Sequence, residues 1–172
     1  MQEFIDLVKG RESIRNYDPD RAVEKEVLNE ILEAGRLAPS AANYQPWQFL
    51  LVSSPEMLQK IRNCYPGKWF ADAPHILVVS GSRAKAWVRP DGYNSIETDL
   101  AIAMDHMILA AENLGVGTCW IAHFDYDSLC KALVLNADEV VFAITPLGYP
   151  REGFSKKGLK NRKPFNEVVK FL

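Results

Sequence analysis

Six residues set the frame for this chain. "HILVVS" (75–80) is a continuous apolar run, which is typical of a buried strand. Around it the pattern alternates between strand-like and helix-like segments. Residues 95–114 carry apolar side chains at Ile96, Leu100, Ala103, Met104, Met107, Ala111 and Leu114, and that spacing predicts the longest helix. Ser95 stands where an N-cap belongs and Gly115 where a helix stops. Val27, Leu28, Ile31, Leu32 and Leu37 predict a second helix over 24–37. Pro39 ends it near Ala38, because the residue before a proline avoids the α region. Phe4, Ile5 and Val8 mark a short amphipathic helix over 3–9. "WQFLLVSS" (47–54), 118–124 and 139–149 read as strands, and 55–63 and 127–135 as helices, the first with Pro55 in its opening turn. From Pro150 the chain turns basic and turn-rich, then ends in the strand-like "EVVKFL". The expectation is a single mixed α/β domain over residues 1–172, with 150–172 as a C-terminal arm.

Composition narrows the function classes. At 172 residues the chain suits one domain, on a scale of roughly 100–200 residues per domain. It has 20 basic and 22 acidic residues, for a net charge of −2, so nothing calls for nucleic acid or a membrane surface as partner. No apolar stretch reaches the roughly 18 residues of a membrane span, and "MQEFIDLVKG" lacks the charged and apolar regions of a leader. A cytoplasmic location is expected. Cys64, Cys119 and Cys130 form no CxxC and read as free thiols in a reducing compartment. His75, His106 and His123 lack metal-ligand spacing, so no metal is expected, and His75 and His106 read as structural.

Two basic segments stand out. "GRESIRNYD" places Arg11, Ser13 and Arg15 at alternate positions after a glycine. In an extended segment those side chains share one side, and two guanidiniums with a hydroxyl suit an anion, since the donor fork of arginine matches phosphate. "LKNRKP" adds Lys160, Arg162 and Lys163. Taken alone, each segment also fits a solvated loop or an ordinary charged tail; meeting in space, they would neutralise one terminal phosphate. "LGVGTCW" follows a helix instead of opening one, so it is no dinucleotide fingerprint. Ser40 has no GxSxG around it.

Four stretches, "RESIR", "PSAANYQPW" (39–47), "LGVGTCWIAHFD" and "KNRKP", occur in the order found in the FMN-dependent nitroreductase family, and the sequence resembles its short-chain branch from residue 4 to 172. The resemblance implies an α+β fold with a central, mainly antiparallel sheet flanked by helices, and a homodimer that exchanges its C-terminal arms and holds FMN at the subunit interface. It implies that Arg11 and Ser13 contact the cofactor's phosphate and ribityl parts, that Glu12 between them is cofactor-binding, that Arg15 is the cation beside flavin N1 and C2, and that Lys160 and Arg162 reach the phosphate. Pro39, Ser40, Ala41 and Asn43 resemble the stretch supplied by the other subunit, and Ile121, Ala122 and His123 the backbone opposite N5. Asn63, Lys68 and Trp69 compete for the pyrimidine edge. The activity implied is NAD(P)H-dependent reduction of nitroaromatics, quinones or related electrophiles by ping-pong hydride transfer, with NADH or NADPH as donor. The alternatives are a flavin-binding or redox-sensing module, or a flavoenzyme of another reaction type such as reductive dehalogenation. The small residues at 39–43 suit close approach of main chain to a flat ring. The segment between 80 and 95 is short, so any substrate-shaping lid there is reduced.

Overall fold

The computed structural model describes residues 3–158 and 160–172; Met1, Gln2 and Leu159, which the single-domain reading included, lie outside the described residues. The elements run α1 (Phe4–Gly10), α2 (Lys25–Arg36), β1 (Trp47–Val52), α3 (Pro55–Arg62), α4 (Lys68–Ala71), β2 (His75–Ser82), α5 (Ile96–Asn113), β3 (Gly117–Thr118), α6 (Tyr126–Leu133), β4 (Glu139–Gly148) and α7 (Phe165–Val168). The four strands form one antiparallel sheet in the order β1-β2-β4-β3. The expected α+β class, with a central antiparallel sheet between helices, is what forms.

β2 is buried along its whole length, and its pleat divides the core in two. Ile76 and Val78 face a cluster with Ile14, Tyr17, Leu58, Ile61, Phe70 and Leu129. Leu77 and Val79 face Leu28, Ile31, Leu100, Met104 and Met107 from α2 and α5. Burying each such side chain is worth about 1.5–3 kcal/mol relative to exposure. The β2–β4 register slips between Val79 and Ser80, which leaves Phe142 and Ala143 of β4 packed toward the same cluster, as a β-bulge does. Gly35 lets α2 lie close on α5, since a Cβ there would sit 2.6 Å from Met107 Cγ.

Helix ends follow local chemistry. α3 has Pro55 at its start and a Ser54 Oγ that accepts the Met57 N–H at 3.3 Å. α5 ends at Gly115, whose φ of +74° lets the Val116 N–H reach Ala111 O at 2.8 Å. Ser95 does precede α5, but its hydroxyl does not cap the helix; it donates to Asp99 Oδ2 at 2.7 Å, while Asn94 Oδ1 takes the Ile96 N–H at 3.0 Å.

Two expected strands are corrected. Of 118–124 only Thr118 is strand, with Gly117 before it, and there is a lone bridge at Ile121–Ile144. Thr145 Oγ1 takes the Cys119 N–H at 3.1 Å, replacing a ladder bond, and Trp120 turns outward against Phe142. The terminal "EVVKFL" is not a strand throughout: Phe165–Val168 is one helical turn, and only then is the backbone extended.

His75 has the structural place expected of it, buried between two partners. Its Nε2 accepts the Val23 N–H at 3.3 Å, so the neutral ring carries its proton on Nδ1 and donates to Ser53 Oγ at 2.7 Å. Burial holds the ring's pKa below the ordinary 6.5. The unfolded chain therefore binds this proton first, so the contribution is full above about pH 6.5 and is lost as pH falls through the lowered folded value. His75→Gln is expected to flatten the fall in urea-measured stability between about pH 7 and pH 5; an unchanged slope would assign that fall to other groups.

Candidate functional site

The basic segment at 11–15 is shaped by two residues that turn inward. Ile14 and Tyr17 are fully buried, and the Tyr17 hydroxyl donates to Ile14 O at 2.8 Å. The Ile14 N–H donates to Thr118 O at 2.7 Å, in a single parallel bridge to β3. With Ile14 facing the core, Ser13 and Arg15 face out. Arg11, Glu12, Ser13 and Arg15 form one wall of a cavity of about 530 Å³.

The arm forms the other wall, contributing Lys157, Lys160 and Arg162. The two basic segments, 145 residues or more apart in sequence, thus come together, as the sequence analysis required for an anion site. Lys156 Nζ donates to Gly10 O at 3.2 Å and pairs with Glu112, and Lys160 Nζ donates to Val8 O. Both ammonium groups meet carbonyls in the last turn of α1, where a helix favours cations. Glu12 Oε2 and Oε1 accept the backbone N–H groups of Lys157 (3.1 Å) and Gly158 (2.6 Å). These bonds, the Gly158 one foremost, hold its carboxyl below the usual range. Partial burial, then the neighbouring Arg11 and Arg162, pulls the Lys160 ammonium down. The wall therefore presents five cations and one carboxylate, and the carboxylate is already engaged. Lys163 is not part of the cavity wall.

Arg15 lies over Trp69, 5.8 Å from the ring centroid. Trp69 in turn packs on Tyr65 at 5.3 Å and Tyr17 at 6.3 Å. Among Asn63, Lys68 and Trp69, the tryptophan is the one that meets this cation. Burial pushes the Cys119 thiol up against the opposing pull of Arg15, Ser13 and Arg11, so it is held as a neutral thiol. Cys64, buried likewise, is pushed up to about 11.

The 39–45 loop lies elsewhere. Ala42, Asn43 and Gln45 have φ of 51°, 58° and 49°, a left-handed run that costs free energy in residues other than glycine. Its anchors are Ser40 Oγ, which accepts the Gln45 N–H at 3.0 Å, and Asp99, whose Oδ1 accepts the Ala41 N–H at 2.9 Å. Asp99 is buried in the first turn of α5 and also accepts the Ser95 hydroxyl. Pro39 and Asn43 are exposed, Ser40 and Ala41 half-buried. The arm meets Glu112 at the other end of α5, thirteen residues on, or about 20 Å at the rise of a helix. One chain therefore brings Arg11, Glu12, Ser13, Arg15, Lys160 and Arg162 together but keeps Pro39, Ser40, Ala41 and Asn43 away from them. Ile121 is buried and tied to Ile144 through both its N–H and C=O (2.9 and 3.0 Å), and Ala122 and His123 follow it onto the surface.

Sequence reasoning missed Asp99. A carboxylate on the apolar face of a predicted helix, four residues after a serine, was the signal available. It also missed Lys157, which sits in the same basic tail.

Comparison with known proteins gives consistent answers. The Nitroreductase family model matches residues 8–65 and 55–149. A protein of Archaeoglobus fulgidus, provisionally named NADH dehydrogenase/NAD(P)H nitroreductase, is 35% identical over 157 residues, covering 88% of each chain. Among solved structures, a nitroreductase family protein of Clostridium difficile 630 superposes with a TM-score of 0.91 at 32% identity, over 99% of this chain and 98% of that one. An FMN-dependent nitroreductase of Clostridium difficile R20291 does so with a TM-score of 0.82 at 29% identity, over 98% of both.

Asp99→Ala leaves the Ala41 N–H and the Ser95 hydroxyl without their acceptor. A loss of about 1–3 kcal/mol in stability is expected, together with faster hydrogen exchange at Ala41 in the folded protein. Unchanged exchange there would show that the loop holds its shape without the carboxylate.

Proposed function

The chain belongs to the nitroreductase family, and on that premise we propose that it is an FMN-dependent NAD(P)H oxidoreductase reducing nitroaromatics, quinones or related electrophiles as a homodimer. The observation that carries this reading is the cavity where Arg11, Ser13, Arg15, Lys160 and Arg162 converge. Its donors suit a phosphomonoester, which carries close to two negative charges at neutral pH, and no dinucleotide fingerprint competes with that assignment. FMN is thus the fitting flavin, with Arg11, Ser13, Lys160 and Arg162 holding its phosphate end.

Bound FMN would supply the redox chemistry, accepting hydride from NADH or NADPH and passing it to the acceptor in ping-pong order. The residues of this chain supply position and charge. Arg15, held over Trp69, is a fixed cation where negative charge develops, so no reorganisation is needed at that moment. Ala41 and Asn43 present a rigid main chain and an amide on a loop already anchored by Asp99.

Two chains complete the site in this reading. The arm and the 39–45 loop attach to opposite ends of α5, and a two-fold axis with antiparallel α5 helices would bring one chain's loop beside its partner's cradle. Apolar side chains left in water, Phe4 of α1 at 64% and Phe171 of the arm at 89% exposed, are what a second chain would cover. Residues 1–172 then make one FMN-binding domain, and 150–172 its arm, which seats Lys156, Lys157, Gly158 and Lys160 on its own chain and carries its end on to the partner. The three free cysteines suit a cytoplasmic setting. Among the described residues no helix is long and apolar enough to cross a membrane.

Heat release and chromatography of the cofactor is expected to yield FMN, and anaerobic NADH or NADPH to bleach the flavin absorbance. FAD, or no flavin after reconstitution, would overturn the cofactor assignment; colour that does not bleach would make the protein a flavin-binding module. A chain ending at Phe154 is expected to lose FMN and the dimer together, read by light scattering on size exclusion. A truncated dimer that keeps FMN would remove the arm from both roles.

A further inference from the structure

We propose that Glu12 is a positioning residue that clamps the arm so that Lys160 and Arg162 face the cavity, and not itself a cofactor contact; this rests on reading that cavity as the phosphate site. Each carboxylate oxygen takes one backbone N–H, from Lys157 and from Gly158. Two successive main-chain N–H groups beside a left-handed residue form a small concavity that fits an anion. Gly158, at φ +69°, provides the left-handed turn, and the Glu12 carboxylate occupies the concavity. The bonds to Lys156 and Lys160 hold flexible side chains. The Glu12 bonds hold main chain, two residues before Lys160 and four before Arg162. They therefore set the direction in which both cations leave the turn.

The arrangement separates two tasks. Arg11, Ser13 and Arg15 are placed by β3 and the core, whether or not the arm is seated. Lys160 and Arg162 are placed by the arm, and the clamp ties the arm to residue 12 in the same wall. Opening the clamp frees both cations to leave the cavity wall, so loss of Glu12 should speed ligand dissociation.

The test uses the full-length protein with Glu12→Ala and Glu12→Gln. In the FMN-free state, tryptic cleavage after Lys156, Lys157 and Lys160 should accelerate at least about threefold in Glu12→Ala. In the loaded protein, FMN should dissociate about tenfold faster, the order of one charge-assisted hydrogen bond. Glu12→Gln should fall between, because its amide oxygen still accepts one N–H. The midpoint potential of bound FMN should not move, since the carboxylate acts on the arm and not on the ring. Arm cleavage at the wild-type rate in Glu12→Ala would overturn the clamp. So would faster dissociation without faster cleavage, which would make Glu12 a direct contact. Wild-type protein that takes up no FMN would overturn the cofactor reading, while the cleavage rates would still decide the clamp.

Discussion

His75–Ser82 is buried on both faces, so its alternate side chains must meet two separate apolar surfaces, and the helices packed on each face supply them. α2 and α5 cover Leu77 and Val79. α3, α4, α6 and the Ile14–Tyr17 segment cover Ile76 and Val78. The candidate site is a by-product of this second layer. Ile14 and Tyr17 are drawn inward to complete the core, and the same pleat turns Ser13 and Arg15 out toward solvent. A basic loop becomes an ordered array because the residue between its polar members is an isoleucine that the core needs.

The legible parts of the fold were those where side-chain period alone decides. "HILVVS", the α5 stripe and the apolar positions of α2 each fix both element type and buried face, and the observed bounds fall within two residues of the expected ones. The segment at 118–124 was misread because its apolar content is real but its hydrogen bonds are not those of a ladder. Cys119 N–H goes to a threonine side chain, a substitution that no periodicity reveals. Ser95 was misread for a related reason: a serine before a helix can accept a backbone N–H or donate its own proton, and here the hydroxyl turns to donate to a buried carboxylate one turn later. "EVVKFL" has strand composition but pairs with no strand among the described residues, and β-propensity without a partner has little to express.

Of the site itself, the motif residues were legible and their grouping was not. Arg11, Ser13 and Arg15 followed from alternation, and Lys160 and Arg162 from the charge of the tail. Their meeting depends on contacts between backbone and side chain that link residues 146 and 152 apart, Glu12 to Gly158 and Lys160 to Val8. Sequence patterns do not encode which carbonyl a lysine will find. The separation of the 39–45 loop from the cradle was implied by the resemblance, which gives the loop to the other subunit, but not by side-chain period, because it is set by the length of α5 and by a single aspartate at one of its ends.

That separation has a physical logic. The loop carries three left-handed residues other than glycine in four positions, and such backbone keeps its shape only where its surroundings over-determine it. Asp99 provides that at the N-terminal end of α5, where a buried carboxylate is favoured by the helix itself. The arm's ammonium groups need the opposite environment, the carbonyl end of a helix, and they find it at α1 beside Glu112. An anionic anchor and cationic arms could not share one helix terminus. The loop and the arm accordingly attach near opposite ends of α5, through Asp99 and Glu112, and within one chain the length of that helix keeps them about 20 Å apart.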